Sequence, residues 1–134
     1  MNKNLKKEII DFFDSSSGFI QNNCYHVIEI DNGYCKMVGD ISNDSLNPYG
    51  IVHGGYIFGL ADTAAGVAVS SNGRKAVTIS SSITYLKKVS GRKLVAIAKC
   101  LKMGKNIASC EVELFDELDN LVSKVTLEYY YISD

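Results

Sequence analysis

The sequence predicts an α+β domain in which an antiparallel sheet of six strands wraps around one central apolar helix. Three observations carry this. The segments run helix, two strands, helix, four strands. With no helix between the last four strands, the alternation that a doubly wound parallel sheet needs is missing. The second helical segment, Tyr56 to Val69, is an apolar run rich in Ala and Gly, which suggests a helix buried on most sides. Asn32-Gly33 sits between two strand-like runs and is a strong hairpin signal, which sets the first strand pair antiparallel.

The elements follow in order. Residues 3–13 place Leu5, Ile9, Phe12 and Phe13 at helical spacing with Lys and Glu on the other face, a short amphipathic helix. Ser15-Ser16-Ser17-Gly18 ends it, and Asn22-Asn23 reads as further loop. Residues 1–18 are thus the N-terminal helix and loop of a single domain spanning 1–134. Cys24 to Ile30 and Tyr34 to Ile41 form the first hairpin around Asp31-Asn32-Gly33. Ser42 to Val52 is turn-rich, holds the only proline, Pro48, and reads as a loop. His53-Gly54-Gly55 then opens the apolar helix, which is too short to cross a bilayer and carries Asp62 at its centre. Ala76–Val89, Lys93–Met103, Asn106–Phe115 and Leu121–Ile132 are rich in Val, Ile, Thr and Tyr and read as strands. Gly91, Gly104 and Asp119-Asn120 mark the turns.

Composition excludes several classes of function. The 134 residues carry 14 basic and 15 acidic groups, a net charge of −1, so the cationic field that nucleic-acid binding needs is missing. Cys24, Cys35, Cys100 and Cys110 form no CxxC pair and the two histidines lie far apart, so zinc spacing is absent and no metal is expected. A chain of this length buries enough surface to fold without disulfide or metal. The cysteines read as small core hydrophobes, reduced in a cytoplasmic setting. The N-terminus has no continuous apolar stretch and includes Glu8, Asp11 and Asp14, so neither export nor membrane attachment is expected.

Candidate chemistry concentrates in Asn47-Pro-Tyr-Gly-Ile-Val-His53-Gly54-Gly55 and the helix behind it. Two glycines at a helix start let a ligand approach the backbone, where first-turn N–H groups favour developing negative charge. Asp62 lies among Phe58, Gly59, Ala61, Ala64, Ala65 and Gly66, a costly place for a carboxylate without a partner or a task. Asn47, six residues before His53, offers an amide donor to the same site. His53 also fits a structural role, bonding loop groups at the helix start. The Tyr129-Tyr130-Tyr131 run alternates across a strand and reads as core plus interface. No G-x-S-x-G is present, so a serine-hydrolase reading fails.

The pattern N-x-x-G-x-x-H-G-G, an acidic residue nine after the histidine and a strand ending Ile83-Thr84-Tyr85 resembles the hotdog-fold acyl-CoA thioesterases of the PaaI-like branch. The likeness covers about residues 20–132, including the turn from Lys102 to Lys105 and the stretch Asp116 to Val122. The resemblance implies that Gly54 N–H and Asn47 polarise a thioester carbonyl, and that Asp62 activates water or attacks directly. By the same resemblance Thr78 supplies a hydroxyl that helps hold the water, and His53 belongs to the set. It further implies substrate contacts from Gly55, Tyr85, Lys102, Gly104 and Lys105, the lysines meeting the phosphates of coenzyme A. No cofactor is implied, coenzyme A being part of the substrate.

A carboxylate base plus preorganised N–H donors suffices for thioester hydrolysis without a metal. Tyr56, Phe58 and Leu60 are candidates for choosing the acyl group. Gly54 and Asp62 are eight residues apart, about 12 Å along a helix, so they cannot both reach one carbonyl in one chain. A homodimer, or a dimer of dimers, with sites shared between chains is therefore expected. The alternative is a non-catalytic acyl-CoA-binding or sensing module on the same fold. A hotdog hydratase ranks last, since no paired Asp and His is evident.

Overall fold

A computed structural model describes residues 1–16 and 18–132. The Asn2 side chain accepts from the N–H of Asn4 at 2.7 Å and from that of Leu5, which caps helix α1 (Lys3–Asp14). Its apolar stripe buries Ile9 and packs on strand β1 (Tyr25–Asp31). The break expected over Ser15–Gly18 includes Ser17, which lies outside the described residues, as do residues 133–134 at the end of the expected domain.

Phe19–Asn22 form a single helical turn, α2, so Asn22, expected as loop, ends a helix instead. Gly18, at φ +90, reverses the chain, and its carbonyl accepts from Asn22 N–H at 2.8 Å. One turn is too short to leave a periodic trace in the sequence. Its Phe19 ring stacks edge-on to Tyr25 at 5.9 Å, and both rings press on Gly59 where a side chain would collide.

The remaining strands are β2 (Tyr34–Asp40), β3 (Ala76–Tyr85), β4 (Lys93–Met103), β5 (Ile107–Asp116) and β6 (Leu121–Tyr131). All pairings are antiparallel, in the order β1-β2-β4-β5-β6-β3. The central helix α3 (Gly54–Val69) touches all six strands. Leu60, Ala61, Ala64, Ala65, Val67, Ala68 and Val69 are fully buried, and the inward Ala96, Ala98 and Ala108 let the sheet close tightly on them. The expected wrap is therefore present, and the strand bounds agree within a residue except at the end of β3. That strand stops at Tyr85 rather than Val89 because the N–H groups of both Leu86 and Lys87 turn onto the Val122 carbonyl.

The cysteines are corrected in part. Cys35 and Cys110 are buried in the core and Cys100 is half-buried against it, but Cys24 is exposed.

Two features prepare the site. The inward partners of β3 on β6 are the buried Tyr129, Leu127, Val125 and Ser123, so their opposite numbers Thr78, Ser81, Ile83 and Tyr85 face α3. The other edge of β3 pairs with no strand among the described residues, and on this strand Val77 and Ile79 are 46% and 54% exposed.

Candidate functional site

The loop before α3 is closed by its own backbone. Leu46 bridges Val52, Asn47 N–H donates to the Ile51 carbonyl at 2.7 Å, and His53 N–H donates to the Ser45 carbonyl at 2.8 Å. The Asn47 side-chain carbonyl accepts from the N–H of Tyr49 at 2.9 Å and of Ile51 at 3.1 Å. Both donors fall on one end of the amide, which orients it and leaves the NH2 end to donate elsewhere.

A helix start has four N–H groups without helical partners. Here that of His53 itself is spent on the Ser45 carbonyl, and those of Gly55 and Tyr56 are spent on His53. Its Nδ1 accepts from Gly55 N–H at 2.7 Å, and its carbonyl accepts from Tyr56 N–H at 3.0 Å and Ile57 N–H at 3.2 Å. Gly54 N–H alone has no acceptor among the described residues. His53 is thus the cap, and the Gly55 N–H is occupied by it. The Tyr85 hydroxyl donates to the Gly54 carbonyl at 2.8 Å, and a Cβ on Gly54 would stand 2.9 Å from that hydroxyl oxygen. A groove of about 370 Å³ opens here between Val52, Gly54, Ile57, Tyr85, Lys87 and Lys88. The two lysines escaped the sequence reading because they were assigned to the strand.

Asp62 is half-buried, two turns along α3. Thr78 Oγ1 donates to Asp62 Oδ1 at 2.7 Å, which brings the strand hydroxyl and the helix carboxylate together. The Tyr129 hydroxyl lies 2.7 Å from the same Oδ1 and 2.6 Å from the Asp62 carbonyl. Sequence reasoning assigned Tyr129 to core and interface. Its role here depends on the register that sets it opposite Thr78, a long-range fact. Burial first, and then the neighbouring carboxylate, push the Tyr129 phenol far above its usual range, so it stays a donor.

The predicted substrate contacts divide between the two ends of α3. Tyr85 is at the Gly54 end. Lys102, Gly104 and Lys105 are at the other, where Arg74 donates to the Gly104 and Lys105 carbonyls and lies 4.0 Å over the Tyr131 ring. Gly104 is required there, since a Cβ would come within 2.8 Å of the Ile107 carbonyl oxygen. Both lysines are exposed. Of the residues expected to choose the acyl group, Tyr56 and Leu60 point into the core, at 4% and 0% exposed, and only Phe58 remains partly open. Helical rotation explains the split, because positions 56 and 60 share one face.

A six-stranded antiparallel sheet wrapped around one apolar helix is the hotdog fold, here with a glycine N–H at the helix start that has no acceptor among the described residues and an oriented carboxylate two turns on. The chain belongs to the thioesterase superfamily, whose family model matches residues 49–123, and within it is a thioester hydrolase of the PaaI-like type. It is 30% identical to the acyl-coenzyme A thioesterase PaaI of Escherichia coli strain K12, over 72% of this chain and 70% of that one.

Two solved structures are also similar. That of PaaI from the E. coli phenylacetic acid degradation operon superposes with a TM-score of 0.91 at 22% identity, covering 97% of this chain and 95% of that one, a likeness of fold. A Streptococcus pneumoniae protein described as a "Hypothetical Thioesterase Protein with Coenzyme A" has a TM-score of 0.76 at 31% identity, over 82% of this chain and 87% of that one. Two further structures of it carry an aspartate-to-alanine and a threonine-to-alanine substitution 16 positions apart. Asp62 and Thr78 have the same separation.

Among the described residues no helix is long and apolar enough to cross a membrane.

Proposed function

We propose that the protein hydrolyses acyl-CoA or a related acyl thioester to the free acid and coenzyme A by Asp62-assisted attack of water, without a cofactor. The observation that carries this reading is the Gly54 N–H, the one first-turn donor left unspent beside an open groove. The relatives named for acyl-CoA thioesterase activity and solved with coenzyme A support the substrate class.

In the proposed reaction, water gives a proton to the Asp62 carboxylate as its oxygen adds to the carbonyl carbon. The resulting oxyanion is held by Gly54 N–H and the Asn47 amide, with His53 fixing the helix start. Collapse breaks the C–S bond, and the proton passes from Asp62 to the departing thiolate. Tyr85 with Gly55, and Lys102, Gly104 and Lys105, contact the coenzyme A portion, the lysines taking its phosphates.

The site is shared between two copies in this proposal. Gly54 and Asp62 are about 12 Å apart along one helix. The ten-residue β3, which carries the exposed Val77 and Ile79, has an outer edge that pairs with no strand among the described residues, of the kind that pairs with another strand. Edge-to-edge pairing of β3 in a homodimer, or in a dimer of dimers, would set two α3 helices antiparallel, with Gly54 and Asn47 of one copy beside the partner's carboxylate. The four free cysteines support a cytoplasmic setting.

The test is thiol release across a panel of aryl, short-chain and long-chain acyl-CoA substrates, with wild type and Asp62→Asn. Turnover by wild type that Asp62→Asn loses is the expected result. Tight acyl-CoA binding with no thiol released by wild type would replace the enzyme by a binding module.

A further inference from the structure

We infer that Tyr129 is a positioning residue that, with Thr78, clamps Asp62 by one oxygen and leaves Oδ2 as the oxygen that works on water. This rests on the catalytic reading of Asp62 given above. Thr78 and Tyr129 are register partners on neighbouring antiparallel strands, so their side chains leave the sheet on the same face, toward α3. Both hydroxyls stand 2.7 Å from Oδ1, and neither reaches Oδ2, which has no partner among the described residues.

Tyr129 does more than Thr78. Its hydroxyl is also 2.6 Å from the main-chain carbonyl of Asp62, so its one proton is shared between the backbone and side-chain oxygens of the same residue, which ties the two together across the side-chain torsion. A bulge immediately after Thr78, where the β3–β6 register shifts, turns Ile79 outward at 54% exposed. Such bulges re-aim neighbouring side chains. Tyr129 is 2% exposed, so water does not compete for its hydroxyl.

A carboxylate free to rotate would present either oxygen, at varying distance, to the water. One held by two donors on a single oxygen presents the other at a constant place, the kind of preorganisation that lowers the barrier without strengthening substrate binding.

The experiment compares Tyr129→Phe, Tyr131→Phe, Thr78→Ala and Asp62→Asn in full acyl-CoA steady-state kinetics. Tyr131 is an equally buried tyrosine on the same strand, whose hydroxyl donates to the Val69 carbonyl at 2.8 Å and does not touch Asp62. Tyr129→Phe is expected to lower kcat roughly 10- to 100-fold with KM within about twofold, and to add nothing to the loss in an Asp62→Asn background. Tyr131→Phe should keep kcat at a similar cost in Tm. Unchanged kcat in folded Tyr129→Phe, or equal losses in the two tyrosine variants, would overturn the inference. If Tyr129→Phe fails to fold, Thr78→Ala decides, since an exposed hydroxyl is removed without harm to the core: kcat must fall with KM unchanged. If Asp62→Asn keeps wild-type turnover, the catalytic reading itself fails. If it is inactive while Tyr129→Phe is normal, only the positioning role is lost.

Discussion

Asp62→Ala separates a carboxylate kept for chemistry from one kept for structure, because the two readings predict opposite stabilities. The substitution removes the acceptor of Thr78 Oγ1 and one of the two acceptors of Tyr129. Neither donor is stranded. Thr78 is exposed and turns to water, while the Tyr129 hydroxyl keeps the carbonyl of residue 62, already 2.6 Å away. The penalty for a buried unsatisfied donor therefore does not apply, and the loss is about 0.5–1.5 kcal/mol for a net hydrogen bond. Against it stand up to ~0.7 kcal/mol of helix propensity and the release of a half-buried charge. The net change is within about 1 kcal/mol, a Tm shift of no more than roughly 5 °C for a chain of this size. Turnover should fall by about 10²- to 10⁴-fold, the range for a lost general base. Thermal melts and thiol release on the same preparation give both numbers. Retained turnover, or a loss of stability above about 3 kcal/mol, would refute the reasoning.

Replacing Lys102 and Lys105 together with alanine should raise KM for acyl-CoA and flatten its salt dependence with kcat little changed, and an unchanged KM would remove both from the ligand site. Gly54→Ala places a methyl 2.9 Å from the Tyr85 hydroxyl oxygen, yet that ring is 51% exposed and can swing away. Its fold should survive within about 1 kcal/mol, helped by the helix preference for alanine, while kcat drops at least ~10-fold; wild-type kcat would exclude close substrate approach at this backbone. Asp116 is 2% exposed and accepts from the N–H groups of Ser90, Leu118 and Asn120. Burial opposes its charge, but bonds from Asn120, Ser90 and Leu118 outweigh it and hold the carboxyl below its ordinary 3.8. A depressed folded value means the carboxylate stabilises the fold fully above that ordinary pH, with the contribution lost as pH falls from there through the lower folded value. Asp116→Asn should therefore cost about 1–3 kcal/mol in denaturant unfolding at pH 7 and markedly less at pH 3, and equal costs at both would contradict this.

What was legible in the sequence was whatever local chemistry determines. An Ala- and Gly-rich apolar helix buried on most sides calls for a wrapping sheet, and Asn-Gly favours a hairpin, so the architecture follows from Tyr56–Val69 and Asn32-Gly33. Gly54 and Asp62 stood out because a glycine start and a buried carboxylate are each costly unless used. What escaped depends on register and rotation. Tyr129 reaches Asp62 only because β3 and β6 align Thr78 with it. Tyr56 and Leu60 were expected at a pocket, but the helical period sends both to the sheet. The end of β3 was misplaced because Leu86 to Val89 keep a strand-like composition while their backbone has left the ladder.

In the proposed shared site the Gly54 and Asn47 end of one chain works with Asp62 of another. This arrangement is tested most directly by co-refolding inactive Asn47→Ala and inactive Asp62→Ala chains in equal amounts and measuring acyl-CoA thiol release. Each mixed dimer then holds one intact site and one doubly damaged site, so random pairing predicts a return of roughly a quarter of wild-type activity. A verified mixed dimer that stays inactive would contradict the shared site.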